Sequence, residues 1–272
     1  MGAAAWTPPD DVLTRLAPPP DLVIRYGTGP EHVADVRLPK RRTGSAARPA
    51  PFVIFLHGGF WRVAYDRSHT GPMATALAAA GYAVCVPEFR RTGQPGGGWP
   101  GTFDDVAAAV DRSPAPARKA AGPGVIADGP ALLAGHSAGG HLTAMALAND
   151  WEKEGLPRDL IKGAVATSGV FDLDVVAHIS VQEQVRMTPE IARLNDPLTH
   201  PPLVNCPLVV AVGGAEPKGW QRMSEDYFNC CKQRGMQAEY LVVPGANHYT
   251  MSEHMLDSGS PLTQAMLKQL GL

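Results

Sequence analysis

Short apolar runs alternating with amphipathic stretches dominate the chain from residue 52 onward. Phe52-Val-Ile-Phe-Leu56, Tyr82–Val86, Pro130–Ala134 and Leu208–Val212 are apolar throughout, and Ile161–Thr167 and Ala238–Val243 are nearly so. Their length and β-branched content predict strands. Between and after them, Gly71–Ala80, Thr102–Asp111, Ser137 to about Asn149, Trp220–Arg234 and Leu262–Leu270 have the composition and spacing of helices. A strand that is apolar on both faces must be covered on both, which points to a parallel sheet flanked by helices. The pattern opens differently: Leu22–Tyr26 and His32–Leu38, joined by the turn residues Gly27-Thr-Gly-Pro30, predict an antiparallel hairpin. Together these give an α/β fold with about eight strands in one mostly parallel sheet.

The rest of the chain organises around that rhythm. Residues 1–21 form a Pro-rich N-terminal arm, and Lys40–Pro51, basic and then small-residue-rich, an exposed loop. Residues 22–272 constitute a single domain. Phe171–Pro202 has weak patterning between two strands and is expected to be an insertion that covers the site like a lid; an ordinary surface crossover is the alternative.

Composition narrows the class. The 272 residues carry 24 basic against 26 acidic side chains, a net charge of −2, which argues against binding driven by nucleic-acid phosphates. With 44% hydrophobic and 18% charged residues the chain is neither disordered nor acidic-solvating. The 29 Gly and 26 Pro make it loop-rich. No apolar run nears the roughly 20 residues of a membrane span. Met1–Asp10 lacks the basic and apolar regions of a signal peptide, and Trp6 spoils a myristoylation motif at Gly2. Cys85, Cys206, Cys230 and Cys231 form no C-x-x-C pair and read as free thiols, so a cytoplasmic protein is expected, with no membrane or nucleic-acid partner.

The candidate chemistry sits at strand ends. Gly135-His136-Ser137-Ala138-Gly139 matches G-x-S-x-G between the strand Pro130–Ala134 and a helix, so Ser137 is the candidate nucleophile on a tight strand-to-helix turn. His57-Gly58-Gly59-Phe60-Trp61 follows the strand Phe52–Leu56; there the amides of Gly59 and Phe60, with that of Ala138, are candidates for an oxyanion hole. His57 is expected to hold this loop rather than react. A serine hydroxyl needs a base. His248, after Pro244-Gly-Ala-Asn247, has the right context, whereas His141 on the nucleophile helix is expected to pack. The third member should follow the strand Leu208–Val212, where Glu216 is the first acid, ahead of its rival Asp226. Trp61 and Trp99 are candidate substrate-binding residues; for Trp99 packing against the fold is the equal alternative. No H-E-x-x-H or phosphate-loop pattern occurs, so no metal or cofactor is expected.

These residues resemble the α/β-hydrolase superfamily, and within it the arylformamidase (kynurenine formamidase)-like and hormone-sensitive-lipase-like esterase branch. The resemblance rests on H-G-G-x-W at 57–61, Gly-His-Ser-Ala-Gly at 135–139, Tyr26-Gly27 with Asp35-Val-Arg-Leu-Pro39, and Glu88-Phe-Arg-Arg91, with Phe89 where Tyr is usual. It implies the α/β-hydrolase fold, Ser137 as nucleophile, His248 as base and Glu216 as acid, although Asp is commoner there. It also implies a small-molecule ester or amide substrate, with an aryl-formamide such as N-formylkynurenine the first expectation. A short-chain carboxylesterase, or a biosynthetic acyl-transfer or cyclisation enzyme on the same triad, is the alternative. A non-catalytic binding module and a prolyl-oligopeptidase-like peptidase are more distant ones. A homodimer is open, since no residue demonstrates it.

Overall fold

The computed structural model describes residues 15–40 and 48–269. Most of the N-terminal arm, much of the Lys40–Pro51 loop and Leu270 therefore lie outside the described residues. Among these the sheet has eight strands: β1 (Leu22–Arg25), β2 (Val33–Arg37), β3 (Phe52–Leu56), β4 (Ala83–Pro87), β5 (Ala131–His136), β6 (Ile161–Thr167), β7 (Leu208–Gly213) and β8 (Ala238–Val243), in the order β1-β2-β4-β3-β5-β6-β7-β8. β1 and β2 pair antiparallel, β2 pairs antiparallel with β4, and the ladder from β4 through β8 is parallel. This is the α/β-hydrolase sheet that the resemblance implied.

The period-2 alternation of strand side chains divides the core into two layers. On one face Val53, Phe55, Val84, Leu132, Ala134 and Val209 pack under α1 (Gly71–Ala79) and the C-terminal helices α8 (Met251–His254) and α9 (Pro261–Gln269). On the other, Phe52, Ile54, Leu56, Leu133, Ala164 and Val210 pack under α2 (Gly101–Arg112), α3 (Pro114–Ala121), α4 (Ala138–Ala148) and α7 (Lys218–Gln233). Every residue of β3, β4 and β7 is buried, as strands covered on both faces should be. β8, at the sheet edge, is only partly buried, and its Glu239 is exposed.

The helix α3 has no counterpart in the sequence reading. It begins Pro114-Ala-Pro, which looks like a breaker, yet proline in a first turn forfeits no intrahelical hydrogen bond. Between β6 and β7, residues 168–207 hold a single 3-10 turn at Val175–His178 and two short helices, α5 (Gln182–Val185) and α6 (Pro189–Asn195). The Thr188 side chain caps α6 by accepting from Ile191 N at 3.1 Å. Phe171 anchors the segment, stacked on Tyr227 of α7 with ring centroids 4.4 Å apart.

Candidate active site

The candidate residues converge where the parallel strands end, the edge of an α/β sheet at which loops are free to build a site. β5 runs into α4 through Ser137, whose backbone is forced to φ 60°, ψ −122°. The turn closes only because its flanks are glycines. A Cβ on Gly135 would lie 2.2 Å from the Gly139 carbonyl oxygen, and one on Gly139 would lie 1.9 Å from that of Leu56. The serine is thereby lifted to the N-terminus of α4, where the helix dipole favours negative charge.

His248 Nε2 lies 3.0 Å from Ser137 Oγ, and His248 Nδ1 lies 2.9 Å from Glu216 Oε2. A carboxylate only accepts, so Nδ1 carries the proton and Nε2 presents its lone pair to the serine hydroxyl. Glu216 is itself held: its Oε1 accepts from Ser168 Oγ at 2.5 Å and from Gly213 N at 2.8 Å. Ser137, Glu216 and His248 are 4%, 3% and 5% exposed, so the chain of hydrogen bonds runs through protein and not through bulk water. His136 Nε2 donates to the His248 carbonyl at 2.9 Å and fixes the loop from behind. Burial and the neighbouring His248 hold the His136 imidazole well below its usual range, so it is neutral.

The loop after β3 turns under Ser137. A Cβ on Gly58 would meet the Ser137 Cβ at 3.1 Å, and Gly59, Phe60 and Trp61 all have positive φ, at 107°, 52° and 54°. Among the described residues neither Gly59 N nor Phe60 N donates to a backbone carbonyl. Ala138 opens α4, where a first-turn amide has no intrahelical acceptor. His57 holds the loop, as expected: Nδ1 lies 2.9 Å from the Gly58 carbonyl oxygen, Nε2 lies 3.1 Å from Glu88 Oε1, and its ring stacks on Phe89 at 4.2 Å. Burial alone would raise the Glu88 carboxyl, but the His57 hydrogen bond and the nearby Arg91 outweigh it and leave it below the usual range. Glu88-Phe-Arg-Arg91 is thus a brace for His57-Gly-Gly.

The two tryptophans belong elsewhere. Ser137 and His248 line a cavity of about 150 Å³ together with Gly58, Gly59, Phe60 and residues from 62–73 and 249–256, and neither Trp61 nor Trp99 is among them. Both instead set their rings edge-on to buried His141, at 5.0 Å and 5.4 Å. The turn at Trp61 directs its indole back into the core, where it is 3% exposed, whereas Trp99 is half-buried against that core. His141 packs as expected, donating from Nε2 to the Asn195 carbonyl at 2.8 Å. The insertion 171–202 also contributes nothing to the walls of that cavity. It lines a neighbouring one of about 700 Å³, which shares only Phe60 with the first. Asp226 lines that second cavity, away from His248, and pairs with Arg222.

Sequence reasoning missed Ser168, which fixes the acid, and Tyr65, His69 and Tyr249, which line the cavity. For Ser168 a signal existed: Thr167-Ser-Gly169 are small polar residues directly after an apolar strand, at the same sheet edge as the Ser137 turn. His69 donates from Nδ1 to the Asp66 carbonyl at 2.5 Å. Burial, with nearby His57, pushes it down to about 4, so it faces the cavity neutral. Among the described residues no cluster of three metal-ligating side chains occurs, and no helix is long and apolar enough to cross a membrane.

Comparison with known proteins agrees with this fold. The BD-FAE family model matches residues 34–205. Kynurenine formamidase of Salmo salar is 31% identical over 260 residues, spanning 92% of this chain and 82% of its own. A solved chain from Silicibacter sp. TM1040, assigned provisionally as a thioesterase, is 26% identical with a TM-score of 0.71, covering 90% of this chain and 85% of that one. Esterase B from Lactobacillus rhamnosis shares the fold, with a TM-score of 0.67 at 16% identity, over 94% of this chain and 86% of its own.

Proposed function

As a member of the BD-FAE family of α/β-hydrolases and a hydrolase of the esterase/formamidase type, the chain is, we propose, a serine hydrolase that cleaves an aryl-formamide through an acyl-enzyme. The observation that carries the mechanism is the relay itself, Ser137 Oγ to His248 Nε2 at 3.0 Å and His248 Nδ1 to Glu216 Oε2 at 2.9 Å. Ser137 Oγ attacks the carbonyl carbon while its proton passes to His248 Nε2. Glu216 stabilises the imidazolium and keeps its tautomer, and the amides of Gly59, Phe60 and Ala138 hold the oxyanion. The carbon–nitrogen bond then breaks, the imidazolium protonates the leaving amine, and formyl stays on Ser137. A water attacks that ester, again losing its proton to His248, and formate departs.

Two features support a small aromatic substrate. The cavity beside Ser137, about 150 Å³, is on the scale of one aromatic ring. The Salmo salar relative is named for a formamide of that kind. Residues 22 onward are read as one catalytic domain, with 171–202 as an insertion beside the Ser137 cavity.

The test is steady-state hydrolysis of N-formyl-L-kynurenine against p-nitrophenyl acetate and butyrate, with Ser137→Ala as the blank. Formamide turnover favoured about a thousandfold in kcat/KM, and lost by roughly 10⁴-fold or more in Ser137→Ala, is the expected result. Ester turnover without formamide turnover would make the chain a carboxylesterase. Undiminished activity in a folded Ser137→Ala protein would sink the mechanism.

A further inference from the structure

The walls of the Ser137 cavity are unevenly charged. Among the described residues they include two arginines, Arg15 and Arg62, but one carboxylate, Glu253, and that carboxylate is paired with Arg15 at 2.9 Å. Two of the cavity's histidines, His69 and His136, do not redress this with charge of their own, because burial holds them neutral. Arg62 is left as the excess charge. Its recorded partners among the described residues are all neutral: Gln184 Oε1 at 2.7 Å, the Gly59 carbonyl at 3.4 Å, and the ring of Tyr65 at 5.3 Å. Tyr65 and Tyr249 line the same cavity. A guanidinium is charged at every relevant pH and presents several donors in a plane, the geometry of carboxylate recognition.

We propose that Arg62 is a specificity-determining residue of this site, selecting substrates that carry a carboxylate on the leaving-group side of the scissile bond. This rests on the hydrolase reading above. Gln184, reaching across from the insertion, and the Tyr65 ring hold the guanidinium in place before substrate arrives. Preorganisation of this kind saves the ordering cost of a long side chain at the moment of binding. The proposal gives the 171–202 segment a part in selectivity although it does not line the cavity.

The test uses isosteric pairs that differ only in charge: 3-acetoxybenzoate against 3-acetoxybenzamide, and 3-formamidobenzoate against 3-formamidobenzamide. The quantity read is the carboxylate-to-amide ratio of kcat/KM. In the wild-type protein the ratio should exceed about ten and fall as salt is raised, as a charge-assisted hydrogen bond requires. In Arg62→Gln it should fall to about one, mostly through KM, and in Arg62→Lys it should be partly restored. A structural role at Gly59 would depress both members of a pair and leave the ratio alone. A wild-type ratio of one or less, or a ratio unchanged in Arg62→Gln, overturns the proposal. Calorimetric binding of 3-acetoxybenzoate and 3-acetoxybenzamide to Ser137→Ala reads the same selectivity without turnover. Failure of the hydrolase reading is therefore distinguishable from failure of the anion reading: the first abolishes turnover of all four compounds, the second abolishes the difference within a pair.

Discussion

Five non-glycine residues among those described have positive φ, and four of them, Phe60, Trp61, Ser137 and Ser168, stand in turns around the relay. Such conformations cost on the order of 1–2 kcal/mol each and persist where surrounding contacts fix them. At Ser168 the return is visible: its hydroxyl donates to Glu216 Oε1, and its carbonyl accepts from the Trp220 indole at 2.9 Å. Ser168→Ala should leave Glu216 with one donor fewer and lower kcat by about tenfold with KM little changed, measured on whichever substrate the enzyme turns over best. His141 offers a stability test. Its imidazole is fully buried and pushed down to about 4, so the folded state keeps it neutral while the unfolded chain protonates it near 6.5. The unfolded state therefore binds more protons between those values. The contribution is intact above about 6.5 and is lost as pH falls toward 4. Between pH 7 and pH 5, His141→Gln should lose about 2 kcal/mol less than the wild type in paired denaturant titrations.

At the scale of elements, the turn between β5 and α4 is a tightly constrained joint. α4 is buried on all sides, so its sequence, Ala-Gly-Gly-His-Leu-Thr-Ala-Met-Ala-Leu-Ala, is apolar without a polar face and keeps glycines where strands press closest. Gly139 meets the Leu56 carbonyl, which belongs to a strand and cannot yield. Gly139→Ala should therefore cost on the order of 3 kcal/mol or more, read as a lowered denaturation midpoint at unchanged m-value, or leave no soluble protein. The substitution is chemically minor, so a near-neutral result would mean that the joint can open. The braces around the joint work alike: Glu88, at the end of β4, holds His57, and His57 holds the loop that passes close to Ser137.

Over the whole molecule, the sheet gathers residues from positions 15 to 256 around one cavity, and distance along the chain decides what could be foreseen. The candidate nucleophile Ser137, the His-Gly-Gly loop and the candidates His248 and Glu216 were legible because each follows a predicted strand, and a parallel sheet aligns all such ends. The structure brings Ser137, His248 and Glu216 together, 111 and 32 residues apart in sequence, within hydrogen-bond reach. Neither Trp61 nor Trp99 lines the Ser137 cavity, because composition cannot tell which way a turn directs an indole; for Trp99 packing had been the equal alternative. Residues 171–202, for which a lid and a surface crossover were the two expectations, line the second cavity and not the first, and Phe171 and the His141–Asn195 bond tie them to α7 and α4.

The sequence by itself determined the strand order, the mixed sheet opening with a hairpin, and which three residues were candidates for the relay. It could do so because hydrophobic period and glycine placement are local properties of the chain. Only the tertiary structure decided what surrounds the serine: the unbalanced charge of Arg62, the neutral His69, the Ser168 clamp on Glu216, and the exclusion of both tryptophans. Those depend on which side chains meet across a sheet edge, and contacts of that kind are fixed by packing between segments far apart in sequence.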